Sequence, residues 1–192
     1  MIDYVEYINR MKREKKGLMT KQQYDEVANE LSELVPCNLL VFGLGHDSYL
    51  WNLMNEGGNT IFLEDNEEWI KEISDDTLKV FRVEYHTKVE DWEKINFDES
   101  QLQLDLPDSV ENVSWDFVII DAPLGHSPPR PYKGPGRMST IYNGYRLLKN
   151  GGIGVVDDMG REVEREYAYH YFGKSNLKKM IQHKVGVFKK NE

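Results

Sequence analysis

Short apolar runs alternate with amphipathic segments along most of the chain. Apolar runs at residues 38–45, 59–65 and 115–123 are typical of buried parallel strands, which are nearly continuously apolar. Similar runs at 79–87 and 153–159 extend the series, and the segments between them have apolar residues at helical spacing. Strands that alternate with helices predict an open, mostly parallel sheet with helices on both faces. This is a Rossmann-like α/β fold.

The first well-marked helix begins at Thr20. Thr20 and Gln23 have the spacing of a capping box, in which each side chain bonds the backbone of the other residue. The apolar side chains that follow share one helical face: Tyr24, Val27, Leu31 and Leu34. This pattern predicts about four helical turns before Pro36. Comparable patterns predict helices over 47–58, 66–74, 138–152 and 162–172.

The chain divides into a short N-terminal segment and one domain. Residues 1–19 have apolar residues at helical spacing before a basic run at 12–16, so they can form a docking or oligomer helix or a solvated arm, and the arm is favoured. Residues 20–192 contain no linker or repeat, which predicts a single domain. Within it, 89–113 is expected to hold helix and loop, and 177–190 to form one or two closing strands, with a hairpin as one form.

Composition narrows the classes of function. The 192 residues carry a formal charge of −9, which argues against a nucleic-acid partner because such proteins usually present a basic face. The one cysteine, Cys37, cannot form an internal disulfide and is expected to be a small buried hydrophobe. The absence of a membrane-length apolar window and of a signal core predicts a cytoplasmic protein without a membrane span.

A glycine-rich turn, residues 43–45, joins the first predicted strand to the next helix. Ser48 stands where a dinucleotide-binding loop would have its third glycine, and His46 and Asp47 occupy the turn. Glu64 ends the next strand about twenty residues later, where an acid can hold a ribose. NAD, FAD and S-adenosylmethionine remain possible ligands, as does a plain strand-to-helix turn.

S-adenosylmethionine is the favoured cofactor, because an aspartate at a helix N-terminus would repel a pyrophosphate. A mixed polar turn suits the ammonium and carboxylate of an amino acid. The predicted cofactor-binding residues are Gly43, Gly45, His46, Asp47, Ser48, Glu64, Asp65, Thr87 and Asp121.

Three aspartates end two later strands. Asp121 follows the run at 115–120, and Asp157 and Asp158 follow the run at 153–156, so adjacent parallel strands would bring the three carboxylates to one rim. One carboxylate can remove a proton from an acceptor hydroxyl as a general base. Alternatively, the three can bind Mg²⁺ or Mn²⁺, an arrangement that resembles the metal-dependent catechol-type methyltransferases. Both interpretations stay open.

The loop after Asp121 is rich in proline and in basic residues. His126 is a reserve candidate for the general base, after Asp158 and Asp121. Arg137 and Arg130 are candidates for binding an acidic acceptor, although a solvated loop explains Arg130 equally well.

Five segments in the same order resemble the plant glucuronoxylan 4-O-methyltransferases and their xylan-related relatives. The segments are VFGLGHDS, FLED, WDFVIIDAP, GPGRM and DDMGREVE, and the similarity runs from about residue 20 to 172. The resemblance implies a Rossmann-like methyltransferase that transfers a methyl group from S-adenosylmethionine to a sugar hydroxyl. It also implies a cofactor loop at 43–48, a ribose-binding acid at Glu64 and a site rim that includes Asp121, 135–137 and Asp158.

The leading hypothesis is therefore an S-adenosylmethionine-dependent O-methyltransferase that acts on a sugar or glycan hydroxyl, with a uronic acid as one acceptor. A small-molecule O- or N-methyltransferase and a non-catalytic scaffold of the same fold are the alternatives. The set of Gly43, Gly45, Glu64 and Asp121 argues against the scaffold.

Overall fold

The apolar runs of the sequence form the strands of one sheet. The computed structural model of the protein describes residues 4–14, 19–124 and 134–191. In chain order the strands are β1 Asn38–Phe42, β2 Asn59–Glu64, β3 Val80–Arg82, β4 Trp115–Ile120, β5 Leu148–Val156, β6 Leu177–Ile181 and β7 Val185–Lys189. Across the sheet the order is β3-β2-β1-β4-β5-β7-β6. Strands β1 to β5 pair in parallel, whereas β7 is antiparallel to both β5 and β6.

Helices connect the strands. In chain order they are α1 Tyr4–Arg13, α2 Lys21–Ser32, α3 Ser48–Met54, α4 Glu67–Ile73, α5 Trp92–Ile95, α6 Glu99–Leu102, α7 Asp108–Glu111, α8 Met138–Leu147 and α9 Glu162–Ala168. A π-helical turn, Tyr169–Gly173, and a 3₁₀ turn, Lys174–Asn176, follow α9. Another 3₁₀ turn, Val89–Asp91, precedes α5. Across the described part of the chain, no helix has both the length and the apolar character needed to cross a membrane.

Alternating strand residues supply two apolar cores, one on each face of the sheet. Leu39 and Val41 of β1 belong to one core, and Leu40 and Phe42 belong to the other, as the two-residue period of a strand requires. Buried residues of α1 to α4 cover the first core, and buried residues of α5 to α9 cover the second. The predicted sheet with helices on both faces is therefore confirmed.

The N-terminal segment differs from the expectation of a solvated arm. Residues Tyr4–Arg13 form α1, and Ile8 and Met11 are buried in the same core as α2 and α3. Their three-residue spacing gives α1 one narrow apolar stripe, while its basic side chains remain outside the core. The preference for an arm was wrong. The basic side chains of α1 lie outside the core, so they do not prevent Ile8 and Met11 from packing into it.

Helix α2 begins as predicted. The Thr20 hydroxyl accepts a hydrogen bond from the Gln23 backbone N–H at 3.2 Å, and the Gln23 side chain accepts one from the Thr20 N–H at 2.7 Å. Tyr24, Val27 and Leu31 are buried. Leu34 is not, because α2 ends at Ser32 and the chain turns before Leu34 can join the stripe.

We expect Thr20→Ala to lower the free energy of unfolding by about 1 kcal/mol, because one orphan N–H of α2 loses its acceptor. Chemical denaturation in urea measures this change. Thr20→Ser keeps the hydroxyl and should stay within about 0.5 kcal/mol of the parent chain. Equal stability of the alanine variant and the parent chain would show that the cap contributes nothing.

The third predicted strand is much shorter than its apolar run. Strand β3 ends at Arg82, although the run continues to residue 87. The last sheet bond at this edge joins the Val83 N–H to the Glu64 carbonyl at 3.0 Å, and β2 ends at Glu64. Without a neighbour to pair with, the edge strand cannot continue.

Of the forms expected for the C-terminal segment, the hairpin is present, as β6 and β7. Gln182 and His183 both have positive φ, 50° and 55°, and the Lys184 N–H donates to the Ile181 carbonyl at 3.0 Å. This is the geometry of the tight turn that matches the twist of two antiparallel strands. The turn therefore places Lys184 at the same edge of the sheet as the end of β5.

Candidate cofactor and catalytic site

The carboxyl ends of the central strands lie side by side. Phe42 of β1 is in register with Ile120 of β4, and Ile120 is in register with Val156 of β5. The chain from β1 proceeds to β2 and β3 on one side, while β4 and β5 lie on the other. Ligands of such sheets bind beyond the strand ends at the point where strand order reverses. The loops that follow β1 and β4 therefore form the candidate site.

Gly43 is required where these two loops meet. Its φ is +117°, a conformation that residues with a side chain rarely adopt, and its N–H donates to the Leu63 carbonyl at 2.7 Å. A Cβ built on Gly43 would lie 3.2 Å from the Cβ of Ala122. Gly43 therefore lets the loop after β1 pass close to the chain that follows Asp121.

Ser48 closes the turn that leads into α3. Its hydroxyl accepts a hydrogen bond from the Gly45 N–H at 2.9 Å, and its own N–H donates to the Gly45 carbonyl at 3.0 Å. The side chain is buried. The residue that replaces a third glycine thus fixes the shape of the loop.

Asp47 holds the N-cap position of α3, but its side chain makes no capping hydrogen bond. Its Oδ2 instead accepts a hydrogen bond from the Tyr24 hydroxyl of α2 at 3.1 Å. Burial raises the pKa of Asp47, while the Tyr24 hydrogen bond opposes that rise. Its carboxylate lies beside the glycine turn, next to Gly45.

His46 lies on the outer side of the loop. Its ring meets the edge of the Trp69 ring of α4, with centroids 5.9 Å apart. The Trp69 indole N–H donates to the Leu44 carbonyl at 2.6 Å. The contact with Trp69 gives His46 a packing role, and its predicted cofactor contact stays a prediction.

Glu64 ends β2 beside the glycine turn, where the ribose-binding acid was predicted. Its two carboxylate oxygens accept hydrogen bonds from the Leu44 and Asn66 N–H groups, each at 3.0 Å. Burial raises its pKa despite these two bonds. Each oxygen keeps a lone pair for a ligand hydroxyl. Asp65 follows it at the half-buried mouth of the loop.

Thr87 connects two loops in the structure. Its buried hydroxyl donates to the Pro135 carbonyl at 2.9 Å and shares a hydrogen bond with the Ser139 hydroxyl at 3.1 Å. These partners place Thr87 beneath the segment that leads into α8. Its predicted contact with the cofactor stays a prediction.

The three aspartates at the strand ends lie together. One oxygen each of Asp121, Asp157 and Asp158 lie within 4.8 Å of one another. Asp158 has a φ of +61°, a left-handed conformation that aspartate tolerates better than most residues do. Strained backbone of this kind concentrates at functional sites.

Arg137 lies inside this aspartate cluster and is almost fully buried. Its Nη2 lies 3.0 Å from Asp121 Oδ1 and 3.1 Å from Asp158 Oδ2. Nε donates to the Pro123 carbonyl at 3.1 Å, and Nη2 also donates to the Asp121 carbonyl at 2.9 Å. The structure thus gives Arg137 protein partners, which favour a positioning role. The predicted acceptor contact of Arg137 stays a prediction.

Two further cations complete the cluster, and the sequence patterns did not reveal either. Arg161 Nη1 lies 2.9 Å from Asp158 Oδ2, and Lys184 Nζ lies 3.5 Å from Asp157 Oδ2 and 3.6 Å from Asp158 Oδ1. Arg161 stands three residues after Asp158, a spacing that could have suggested the pair. Lys184 reaches the cluster only through the hairpin turn, which no local pattern in the sequence reports.

Asp121 is the most accessible of the three carboxylates. Its side chain is 30 % exposed, whereas those of Asp157 and Asp158 are 4 % and 11 % exposed. Withdrawal from water raises the pKa of Asp121 well above its ordinary value, against the opposing charge of Arg137. Asp121 is therefore the carboxylate of the cluster that an acceptor hydroxyl can approach most readily.

Two residues singled out in the sequence lie outside the described residues: His126 and Arg130. The reserve base at His126 and the acceptor contact of Arg130 stay predictions.

The residues of the site fit both a cofactor and a cation. Gly43 lets the loop pass close to Ala122, Gly45 leaves space for the Asp47 carboxylate, and Glu64 retains acceptor capacity beside this turn. The aspartate oxygens are the ligand type that Mg²⁺ and Mn²⁺ prefer. Among their protein partners, Lys184 is the most exposed, and its contacts of 3.5 and 3.6 Å are longer than the shortest contacts of Arg137 and Arg161, so it is the one a cation would displace most easily.

Solved methyltransferases share this fold. A putative caffeoyl-CoA O-methyltransferase from Staphylococcus aureus has a TM-score of 0.59 and 13 % identity, over 99 % of this chain and 93 % of that one. The MycE methyltransferase of the mycinamycin biosynthetic pathway, in complex with Mg and SAH, has a TM-score of 0.56 and 12 % identity, over 100 % of this chain and 49 % of that one. The predicted fold class, that of the Rossmann-like class I methyltransferases, is confirmed.

The sequence itself identifies the family. Residues 22–97 and 92–188 match the sequence model of the IRX15/IRX15L/GXM family, and this chain belongs to that family. Glucuronoxylan 4-O-methyltransferase 2 of Arabidopsis thaliana is 36 % identical over 174 residues, 77 % of this chain and 59 % of that protein. Arabinogalactan O-methyltransferase 2 of the same plant is 33 % identical over 181 residues, 79 % and 61 % of the two chains. The predicted family is confirmed, and this chain spans about three fifths of these relatives.

Proposed function

We propose that this protein is an S-adenosylmethionine-dependent O-methyltransferase that acts on a hydroxyl group of a sugar or glycan. The observation that carries the proposal is the meeting of the Gly43 turn with Asp121 at the point where strand order reverses. Two relatives are named for O-methylation of glucuronoxylan and arabinogalactan, which supports a sugar acceptor. The cytoplasmic location expected from the sequence stays a prediction.

The glycine turn after β1 and the end of β2 would contact different parts of the cofactor. S-adenosylmethionine supplies an electrophilic methyl group on a positively charged sulfur. In the proposal, Gly43 and Gly45 let the backbone approach the cofactor, and the remaining lone pairs of Glu64 accept hydrogen bonds from the ribose. The Asp47 carboxylate, which lies beside the glycine turn, favours a cationic ligand.

Asp121 is proposed to accept the proton of the acceptor hydroxyl. Its half-buried side chain lies next to the loop that would hold the cofactor, and its raised pKa makes it a better base than an ordinary aspartate. Arg137 Nη2 donates to Asp121 Oδ1 at 3.0 Å and so helps to orient the carboxylate. Alignment of the acceptor oxygen with the methyl group supplies the rest of the rate enhancement.

A divalent cation is a further part of the proposal. Support comes from the three clustered carboxylates and from the Mg named with the MycE structure. In this arrangement Asp121, Asp157 and Asp158 would hold the ion, and Lys184 would move aside. Such an ion lowers the pKa of a bound hydroxyl.

Isothermal calorimetry with S-adenosylhomocysteine, followed by a methyl-transfer assay, tests the proposal. We expect saturable binding and transfer of labelled methyl groups to glucuronoxylan or arabinogalactan oligosaccharides. A small catechol in the same panel represents the small-molecule alternative. Assays in EDTA, with Mg²⁺ or Mn²⁺ restored, test the cation. No binding at millimolar cofactor would refute both methyltransferase hypotheses and leave the scaffold.

A further inference from the structure

The position of the Asp47 side chain is unusual for a helix N-cap. Aspartate at this position normally accepts a hydrogen bond from a backbone N–H in the first turn of its own helix. In α3 that bond is absent, and the Asp47 backbone has helical angles, φ −82° and ψ −9°. The carboxylate is therefore directed away from its helix and towards the glycine turn.

Two neighbours create this position. Gly45 leaves the space, since a Cβ built on it would lie 2.7 Å from Asp47 Oδ1. Tyr24 holds the carboxylate through the 3.1 Å hydrogen bond from its hydroxyl to Oδ2. Tyr24 is itself fully buried in the core and packs against the Trp51 ring of α3 at 5.9 Å. The hydroxyl is thus fixed by a different helix from the one that carries Asp47.

The remaining oxygen of Asp47 is suited to a cation. Asp47 is only partly buried, so a ligand can reach it from the site. Asp121 and Asp157 lie nearby, but Arg137 and Lys184 already pair with them, so the attraction for a positively charged ligand comes mainly from Asp47 itself. The amino-acid end of S-adenosylmethionine carries such a group.

We propose that Asp47 binds the α-ammonium group of S-adenosylmethionine and that Tyr24 is the positioning residue that orients the Asp47 carboxylate for this contact. The inference rests on the proposed function, because it specifies how the same site recognises its cofactor. It gives α2, a helix outside the strand-end loops, an indirect influence on cofactor binding through Asp47.

Two ligands separate this contact from the rest of the site. S-adenosylhomocysteine contains the amino-acid end, and 5′-methylthioadenosine has the same adenosine and sulfur but lacks that end. We expect Asp47→Asn to weaken S-adenosylhomocysteine about 10- to 100-fold, because an ion pair with hydrogen bonds is lost. We expect Tyr24→Phe to weaken it about 3- to 10-fold, because the carboxylate loses one oriented hydrogen bond. Affinity for 5′-methylthioadenosine should change less than about 2-fold in both variants.

A double variant and a matched control complete the test. The ratio of the affinities for S-adenosylhomocysteine and 5′-methylthioadenosine is the quantity compared. When Tyr24→Phe is added to Asp47→Asn, this ratio should hardly change further, because Tyr24 acts through Asp47. Tyr49→Phe removes a hydroxyl that donates to the Ile73 carbonyl at 2.8 Å, and it should leave the ratio unchanged. A merely structural role for Tyr24 would weaken both ligands equally.

The possible outcomes separate the ammonium contact of Asp47 from the proposed function. If the parent chain binds S-adenosylhomocysteine but neither variant changes the ratio, the ammonium contact is refuted and the proposed function stands. If Asp47→Asn changes the ratio and Tyr24→Phe does not, the positioning role of Tyr24 is refuted. If the parent chain binds neither ligand, the proposed function fails and the inference fails with it.

Discussion

Asp121→Asn is expected to lower the rate of methyl transfer about 10²- to 10⁴-fold, the usual contribution of a positioned general base. Asparagine has a similar shape but cannot accept the proton of the acceptor hydroxyl. Since the Gly43 turn and Glu64 are unchanged, affinity for S-adenosylhomocysteine should fall only a few-fold. Single-turnover kinetics and calorimetry measure the two effects separately.

Asp158→Asn is the informative comparison for this prediction. The sequence ranks Asp158 with Asp121 as a candidate base, but the Asp158 side chain is 11 % exposed and pairs with Arg137 and Arg161. We therefore expect a smaller loss of rate from Asp158→Asn. The exposed Asp105 provides a neutral control through Asp105→Asn. A severe loss in Asp158→Asn together with near-normal turnover in Asp121→Asn would identify Asp158 as the base instead.

A cation at the cluster would alter the interpretation of the Asp121 variant, and a titration separates the two roles. If Asp121 acts as a metal ligand, raising the Mg²⁺ or Mn²⁺ concentration should restore much of the activity of Asp121→Asn. If Asp121 acts only as the base, added metal should leave the loss unchanged.

The features that sequence reasoning found are those that depend on local pattern. Apolar runs identify the strands because burial on both faces leaves no polar positions, and the Thr20–Gln23 spacing identifies a helix start. The meeting of Asp121 with Asp157 follows from the common direction of parallel strands. Such features require no knowledge of how distant side chains pack.

The features that it missed depend on tertiary contacts. Tyr24 is recognisable as a core residue, but only the packing of α2 against α3 shows that its hydroxyl meets Asp47. Lys184 joins the aspartate cluster because a hairpin folds back over the end of β5. The sequence makes Arg137 a candidate for binding an acidic acceptor, but only the three-dimensional structure shows that Arg137 lies close to three acids of the protein itself.

Arg137→Ala is expected to lower the free energy of unfolding by about 3–5 kcal/mol at neutral pH, because it leaves buried carboxylates without their main counter-charge. Arg137 lowers the pKa of Asp121, so its removal raises that pKa further above the unfolded value. A carboxyl whose pKa is higher in the folded state than in the unfolded state destabilises the fold at high pH. The penalty is complete above the folded-state pKa and disappears below the unfolded-state pKa. The difference between variant and parent chain should therefore shrink as the pH falls from 7 towards the ordinary pKa of aspartate, about 4.

Two further arginine variants make the origin of this loss specific. Arg137→Lys keeps a positive charge but cannot span Asp121, Asp158 and two carbonyls at once, so we expect it to restore only a minor part of the stability. Arg146 of the same helix pairs with both carboxylate oxygens of Glu111 at 2.7 Å, but this pair is more than a quarter exposed. Arg146→Ala should therefore cost only about 1 kcal/mol and show no such pH dependence. Urea denaturation measures these losses. Equal losses in Arg137→Ala and Arg146→Ala would mean that Arg137 stabilises the fold no more than an arginine in a partly exposed ion pair does.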